Sequence, residues 1–212
     1  PPFIKQAAPL IESLRQKSPA QIAELMSLSD KLAVLNVTRY ADWAAKHAQP
    51  EAKQAILAFN GDVYEGLDAP SLNRKQLDYV QDHVRVLSGL YGVLRPLDLM
   101  RPYRLEMGTK LANPGGKDLY AWWRESNTAC VLEDLNAAGG ALINTASDEY
   151  FKSVDRKALE KAGVMVIDTV FEDWKDGKFK IISFYAKRAR GLFVRAAAEG
   201  AWETAQDLQQ FD

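Results

Sequence analysis

The 212 residues carry 27 Lys or Arg against 28 Asp or Glu, a formal net charge of −1, and 47% are hydrophobic. That is enough apolar material for one buried core, and the near-neutral balance excludes a protein that holds polyanions through net charge alone. No apolar run is long enough for a membrane helix, PPFIKQAAPLIESL lacks the layout of a secretory signal, and the single Cys130 excludes an internal disulfide, which fits a cytoplasmic setting.

The first third of the chain reads as helix. APLIESLRQK sets Leu10, Ile11 and Leu14 at helical spacing, and Ser18-Pro19 supplies an N-cap and a first-turn proline for AQIAELMSL. Ser29 is positioned to cap DKLAVLNVTRYADWA, with Leu32, Leu35 and Val37 as its apolar positions. After Pro50, QAILAF predicts a short buried strand ending at Asn60-Gly61. Asn73 caps RKQLDYVQDH, with Leu77 and Val80 inward and His83 as a capping residue, and VRVLSG returns to strand character. YRLEMG predicts an extended segment. LYAWWRESNTACVLEDLNAA predicts a long amphipathic helix closed by Gly139-Gly140, with Cys130 as one of its small buried residues.

ALINTAS predicts a strand that leads into the polar bend Ser147-Asp148-Glu149. VMVIDTVFEDW and KFKIISFYA predict two strands joined by a turn at Lys175-Asp176-Gly177, and ARGLFVRAAAEGAWETAQDL closes the chain as helix. No repeat, low-complexity tract or Pro/Gly linker divides these elements. The expectation is one compact α+β (mixed α/β) domain over residues 1–212, with a central mixed sheet flanked by helices.

Chemistry-bearing motifs are sparse. HExxH, CxxC, GxSxG and GxxxxGK[ST] are absent, and His47 and His83 share no ligand spacing with each other or with Cys130, so neither a metal site nor a cofactor is expected. ASDEYFKSV admits two readings. In one, Ser147, Asp148, Glu149 and Lys152 line a site after a strand, beside Tyr150. Asp148 or Glu149 then acts as base or cation ligand and Lys152 holds a phosphate, which describes an enzyme acting on a nucleotide or nucleic acid. In the other, Ser147 caps a helix whose positive end the two acids complement.

LSGLYGVLRPLDLMRPYRLEMG, residues 87–108, also reads two ways. Gly89 and Gly92, around Leu90 and Tyr91, have the GxxG outline of a hairpin between two helices, whose amides contact phosphate without reading bases, and Arg95, Arg101 and Arg104 add guanidinium groups suited to phosphate. Alternatively the glycines only make a tight turn. Basic residues gather in two blocks. Residues 85–117 hold six Lys or Arg against Asp98 and Glu106, and residues 177–195 hold six with no acid, including Lys187, Arg188 and Arg190. A neutral chain built this way can present one positive face.

SDKLAVLN (29–36), AILAFNGDVYEGL (55–67), residues 87–108, GKDLYAWW (116–123), ASDEYFKSV (146–154) and GKFKIISFYAKRARG (177–191) follow one another across nearly the whole chain. In these segments the sequence resembles the YaaA family of peroxide-stress proteins, also called DUF328 or UPF0246. The resemblance implies a cytoplasmic bacterial protein that helps cells survive hydrogen peroxide, is linked to lower free iron, and limits oxidative DNA damage. It also implies a positively charged cleft, a helix-hairpin-helix-like element and binding to double-stranded DNA, with no particular reaction attached. We place that element on Gly89–Gly92, expect largely sequence-independent binding, and take a monomer as the default. Against the family pattern, the chain is expected to lack an N-terminal strand with a Ser-Pro-Ala-Lys segment and a C-terminal extension.

Overall fold

The computed structural model describes residues 1–211. Three helices open the chain: α1 (Ile4–Arg15), α2 (Pro19–Met26) and α3 (Asp30–Asp42). The start of α2 is fixed locally by a reciprocal capping box. Ser18 Oγ accepts the Gln21 N–H, the Gln21 side chain accepts the Ser18 N–H at 2.8 Å, and Pro19 occupies the first turn. Helix α1 buries Ala7, Leu10, Ile11 and Leu14. The buried face of α3 differs from the one predicted. It carries Ala33, Asn36 and Tyr40, while Leu32 and Leu35 are exposed. Polar bonds set that rotation: the Tyr40 hydroxyl donates to the Arg104 carbonyl, and Arg15 donates to the Tyr40 and Trp43 carbonyls at 2.8 and 2.6 Å, at the negative end of α3.

Strand β1 (Lys53–Gln54) runs directly into a single helical turn, α4 (Ala55–Ala58), so QAILAF is not the strand expected. The Ala55 and Ile56 amides donate to the carbonyls of Asp98 and Pro96, which occupies the donors a longer ladder would need. Helix α5 (Asp62–Leu67) follows, then α6 (Arg74–His83), which opens with a second capping box between Asn73 and Gln76. His83 Nδ1 lies 2.9 Å from the Tyr79 carbonyl, inside its own helix.

The remaining elements are β2 (Val86–Ser88), β3 (Gly92–Leu94), β4 (Leu99–Met100), α7 (Leu119–Ala138), β5 (Ala141–Asn144), α8 (Asp148–Phe151), α9 (Arg156–Lys161), β6 (Met165–Asp168), β7 (Asp173–Lys175), β8 (Lys178–Lys180) and α10 (Ser183–Gly200). YRLEMG has no regular structure. The strand predicted over KFKIISFYA stops at Lys180, because Ser183 already begins α10, whose buried Ala186, Gly191 and Phe193 follow helical rather than alternating spacing.

The described strands do not form the expected central sheet. They pair as separate two-stranded ladders: β1 with β4, β2 with β3 and β7 with β8 antiparallel, and β5 with β6 parallel. Strands this short bury little by themselves. The main core is built by α1, α3 and α7 closing over residues 90–111, with Trp123, Tyr40 and Tyr91 its largest fully buried side chains.

Candidate functional site

Gly89–Gly92 does not link two helices. It is the turn between β2 and β3, and Gly89, Leu90, Tyr91 and Gly92 are all buried. The glycines answer to packing. A Cβ on Gly89 would land on the Leu105 carbonyl, and Trp123 Nε1 donates to the Gly89 carbonyl at 2.8 Å. Gly92 has φ +69° and lies under the Trp123 ring and Asn127. The phosphate contact expected of Gly89, Tyr91 and Gly92 therefore has no exposed surface to act on, and the tight-turn reading of these glycines holds.

The arginines of the same stretch are largely spoken for. Asp134 of α7 receives Arg85 Nε at 2.6 Å and Arg95 Nη2 at 3.3 Å. The Arg85 bond holds the Asp134 carboxyl below the usual carboxylate range, against a smaller upward push from burial. Arg101 donates Nη1 to the Asp42 carbonyl at 2.9 Å, and Arg104 pairs with Glu106 at 2.8 Å. Half-exposed pairs such as the last contribute little to stability, but they cancel charge that a ligand would otherwise meet.

At 146–152 the side chains diverge. Ser147 has N-cap backbone geometry and its carbonyl accepts the Tyr150 and Phe151 amides, but its hydroxyl makes no cap bond. Asp148 and Lys152 are exposed. Glu149 turns away to accept the Gly108 N–H at 2.8 Å. Tyr150 is half-buried, and burial first, with Glu149 and Glu106 next, pushes its phenol up to about 12. No side-chain hydrogen bond joins Ser147, Asp148, Glu149 and Lys152 to one another. Among the described residues no three His, Cys, Asp or Glu side chains come together as a metal-binding group.

The second basic block is arranged otherwise. Lys187 and Arg188 are exposed on α10, and Arg190 is half-buried beside them. Among the described residues, no acid lies within ion-pair distance of any of the three. Helix α10 is seated by glycine contacts: a Cβ on Gly66 would strike the Arg188 carbonyl, and one on Gly191 would strike the Val63 carbonyl. That close crossing of α5 and α10 fixes where the cations point.

The family comparison bears on the whole chain. A model of the peroxide stress protein YaaA family matches residues 1–212. This chain belongs to that family. Similar UPF0246 proteins occur in Janthinobacterium sp. (strain Marseille), 60% identical over 213 residues, and in Azoarcus sp. (strain BH72), 61% identical over 217 residues. Both alignments take in 100% of this chain, and they cover 81% and 82% of the relatives. A third, from Paraburkholderia phytofirmans, is 57% identical over 215 residues. YaaA membership links the protein to the peroxide stress response. Among the described residues no helix is long and apolar enough to cross a membrane.

Sequence reasoning missed two features of this protein. The first is the exposure of Trp174, Phe179, Ile181, Phe184 and Tyr185 ahead of the α10 cations. The alternation Trp-Lys and Lys-Phe-Lys around the β7–β8 turn was the available signal. The second is the hydrogen-bond hub at the Tyr91 hydroxyl, reached by Trp43 Nε1 at 2.8 Å and the Arg101 N–H at 3.2 Å. Nothing in local spacing marks it.

Proposed function

We propose that this protein binds double-stranded DNA through the phosphate backbone, with α10 as the principal contact. The carrying observation is the run Lys187, Arg188 and Arg190, without an acid partner among the described residues, on one helix of a chain whose net charge is −1. Unpaired cations on a fixed helix attract a polyanion without first breaking an internal ion pair, and phosphate contacts carry no base information. Arg95, Arg101, Arg104 and Lys152 are secondary contributors. The three arginines must first give up partners in the fold.

Such binding accounts physically for protection in peroxide stress. Cations seated on phosphates release the counterions condensed there, ferrous iron among them, so peroxide meets less iron beside the bases. Lower iron near DNA is then a consequence of occupancy, with no iron ligands required of the protein.

The test is an electrophoretic shift of duplex DNA of unrelated sequences across a salt series. The expected result is similar affinity for each sequence and a steep fall with salt. Affinity that is flat in salt, or confined to one sequence, contradicts the phosphate reading. Plasmid nicking by ferrous iron and peroxide should slow in step with DNA occupancy.

A further inference from the structure

A file of aromatic rings leads from the half-buried side of α5 into the core. Tyr64 stacks on Phe59 at 5.1 Å between centroids, Phe59 meets Tyr103 edge-on at 6.2 Å, and Tyr103 meets Tyr91 at 5.4 Å. Beyond Tyr91 lies His47 at 5.6 Å, and Trp43 is 5.7 Å from His47. Tyr91 is fully buried and takes no part in the DNA surface.

Hydrogen-bond bookkeeping at the Tyr91 oxygen leaves one arrangement. The oxygen accepts N–H groups from Trp43 and from the Arg101 backbone, which fills both lone pairs. Its own proton is left for His47 Nε2, 3.0 Å away. His47 Nδ1 faces the Ala45 carbonyl at 3.0 Å, which can only accept, so Nδ1 carries the imidazole proton and Nε2 is a bare base. Burial pushes that imidazole's pKa down, with Arg101 in support and against an upward push from the Ala45 carbonyl.

No other tyrosine has such a partner among the described residues. The Tyr40 and Tyr79 hydroxyls donate to the carbonyls of Arg104 and Trp202, which cannot take a proton. The Tyr103 hydroxyl meets Ser88 Oγ at 2.5 Å, a poor base. A phenol that loses an electron becomes a strong acid, so the tyrosine with a base on its oxygen is the easiest to oxidise.

We propose that Tyr91 is a redox-active tyrosine, with His47 as its proton acceptor, at which one-electron oxidation of this protein comes to rest. The oxidant is of the radical class that peroxide and reduced iron generate, such as hydroxyl radical. It takes one electron from an accessible ring and is reduced to hydroxide. The vacancy passes along Tyr64, Phe59 as a bridge, and Tyr103 to Tyr91. There the O–H bond breaks: the electron leaves along the rings, the proton moves to His47 Nε2, and a neutral phenoxyl radical stands beside an imidazolium. The Trp43 and Arg101 N–H groups keep the oxygen in place through the change.

Photochemical flash-quench oxidation of the intact protein, read by electron paramagnetic resonance, tests this without DNA and without the α10 cations. The wild type should give a long-lived tyrosyl signal, and Tyr91→Phe should remove it or replace it with one of different hyperfine splitting. His47→Gln keeps a hydrogen-bonding side chain but no base that can hold the proton, and should cut the lifetime several-fold with near-ultraviolet dichroism unchanged. If Tyr91→Phe fails to fold, the Gln variant alone decides. A wild-type tyrosyl spectrum and lifetime in His47→Gln overturns the proposal.

Discussion

Two stretches of this chain hold the same number of Lys and Arg, and the fold treats the arginines of the first unlike the Lys187–Arg190 run of the second. In residues 85–117 the arginines face inward partners: Arg85 and Arg95 share Asp134, Arg101 holds the Asp42 carbonyl, and Arg104 holds Glu106. In α10, Lys187, Arg188 and Arg190 hold no acid among the described residues. The first block uses its arginines to tie α7, α3 and the 95–106 loop together. In the second, Lys180 pairs with Asp176 and Arg195 with Asp68 and Glu199, while Lys187 and Arg188 are exposed without an acid partner among the described residues and Arg190 sits half-buried beside them. Counting Lys and Arg along a sequence therefore measures supply, and only the fold decides how much of it remains available to a ligand.

Several changes break or sharpen that contrast. Reversing charge on α10, with Lys187→Glu and Arg188→Glu, should abolish detectable DNA shifts at moderate salt while leaving the melting temperature near that of the wild type, because neither side chain makes a partner bond. Retained binding would mean that α10 is not the contact. Next in size is Gly191→Ala. Its methyl would strike the Val63 carbonyl, and forcing extra volume into a closed contact costs about 1–3 kcal/mol. Thermal melting should show the loss, and DNA affinity should fall with it as α10 shifts.

Asp134→Asn acts on the other block. Charged hydrogen bonds contribute roughly 1.5–3 kcal/mol each, so denaturant unfolding should show a loss near the lower end for this partly exposed pair. The sign of its pH dependence follows from the lowered Asp134 pKa. The stabilisation is present above the unfolded carboxylate value and is lost as pH falls through the lower folded one. The difference in stability between wild type and Asp134→Asn should thus close in acid. The smallest effect is expected at Cys130. Burial and the neighbouring Asp134 push its thiol up, so alkylation should be slower than for a free thiol, and Cys130→Ala should leave DNA binding unchanged.

What was legible in the sequence was local. Ser18, Pro19 and Gln21 announce α2, Asn73 and Gln76 announce α6, and Gly139 marks the end of α7, because each bond closes within a turn or so of the residues that signal it. The GxxG turn was legible as a turn and illegible as to its neighbours. Glycine spacing is the same between strands or helices, and what decides is Trp123 and Leu105, which reach it from elsewhere in the chain. The neutralisation of Arg85 and Arg95 was hidden for the same reason, since Asp134 lies 49 and 39 residues away. The divergence at 147–152 turns on a backbone amide, Gly108, that no residue pattern advertises.

The most direct measurement is the salt dependence of duplex binding in two neutral triple variants side by side. Each lost phosphate contact should lower the slope of log affinity against log salt by about 1. Lys187→Ala, Arg188→Ala and Arg190→Ala together should lower it by about 3 on that basis, whereas Arg95→Ala, Arg101→Ala and Arg104→Ala together should change it far less. Equal changes in the two variants, or a larger one in the second, would contradict the assignment of the free charge to α10.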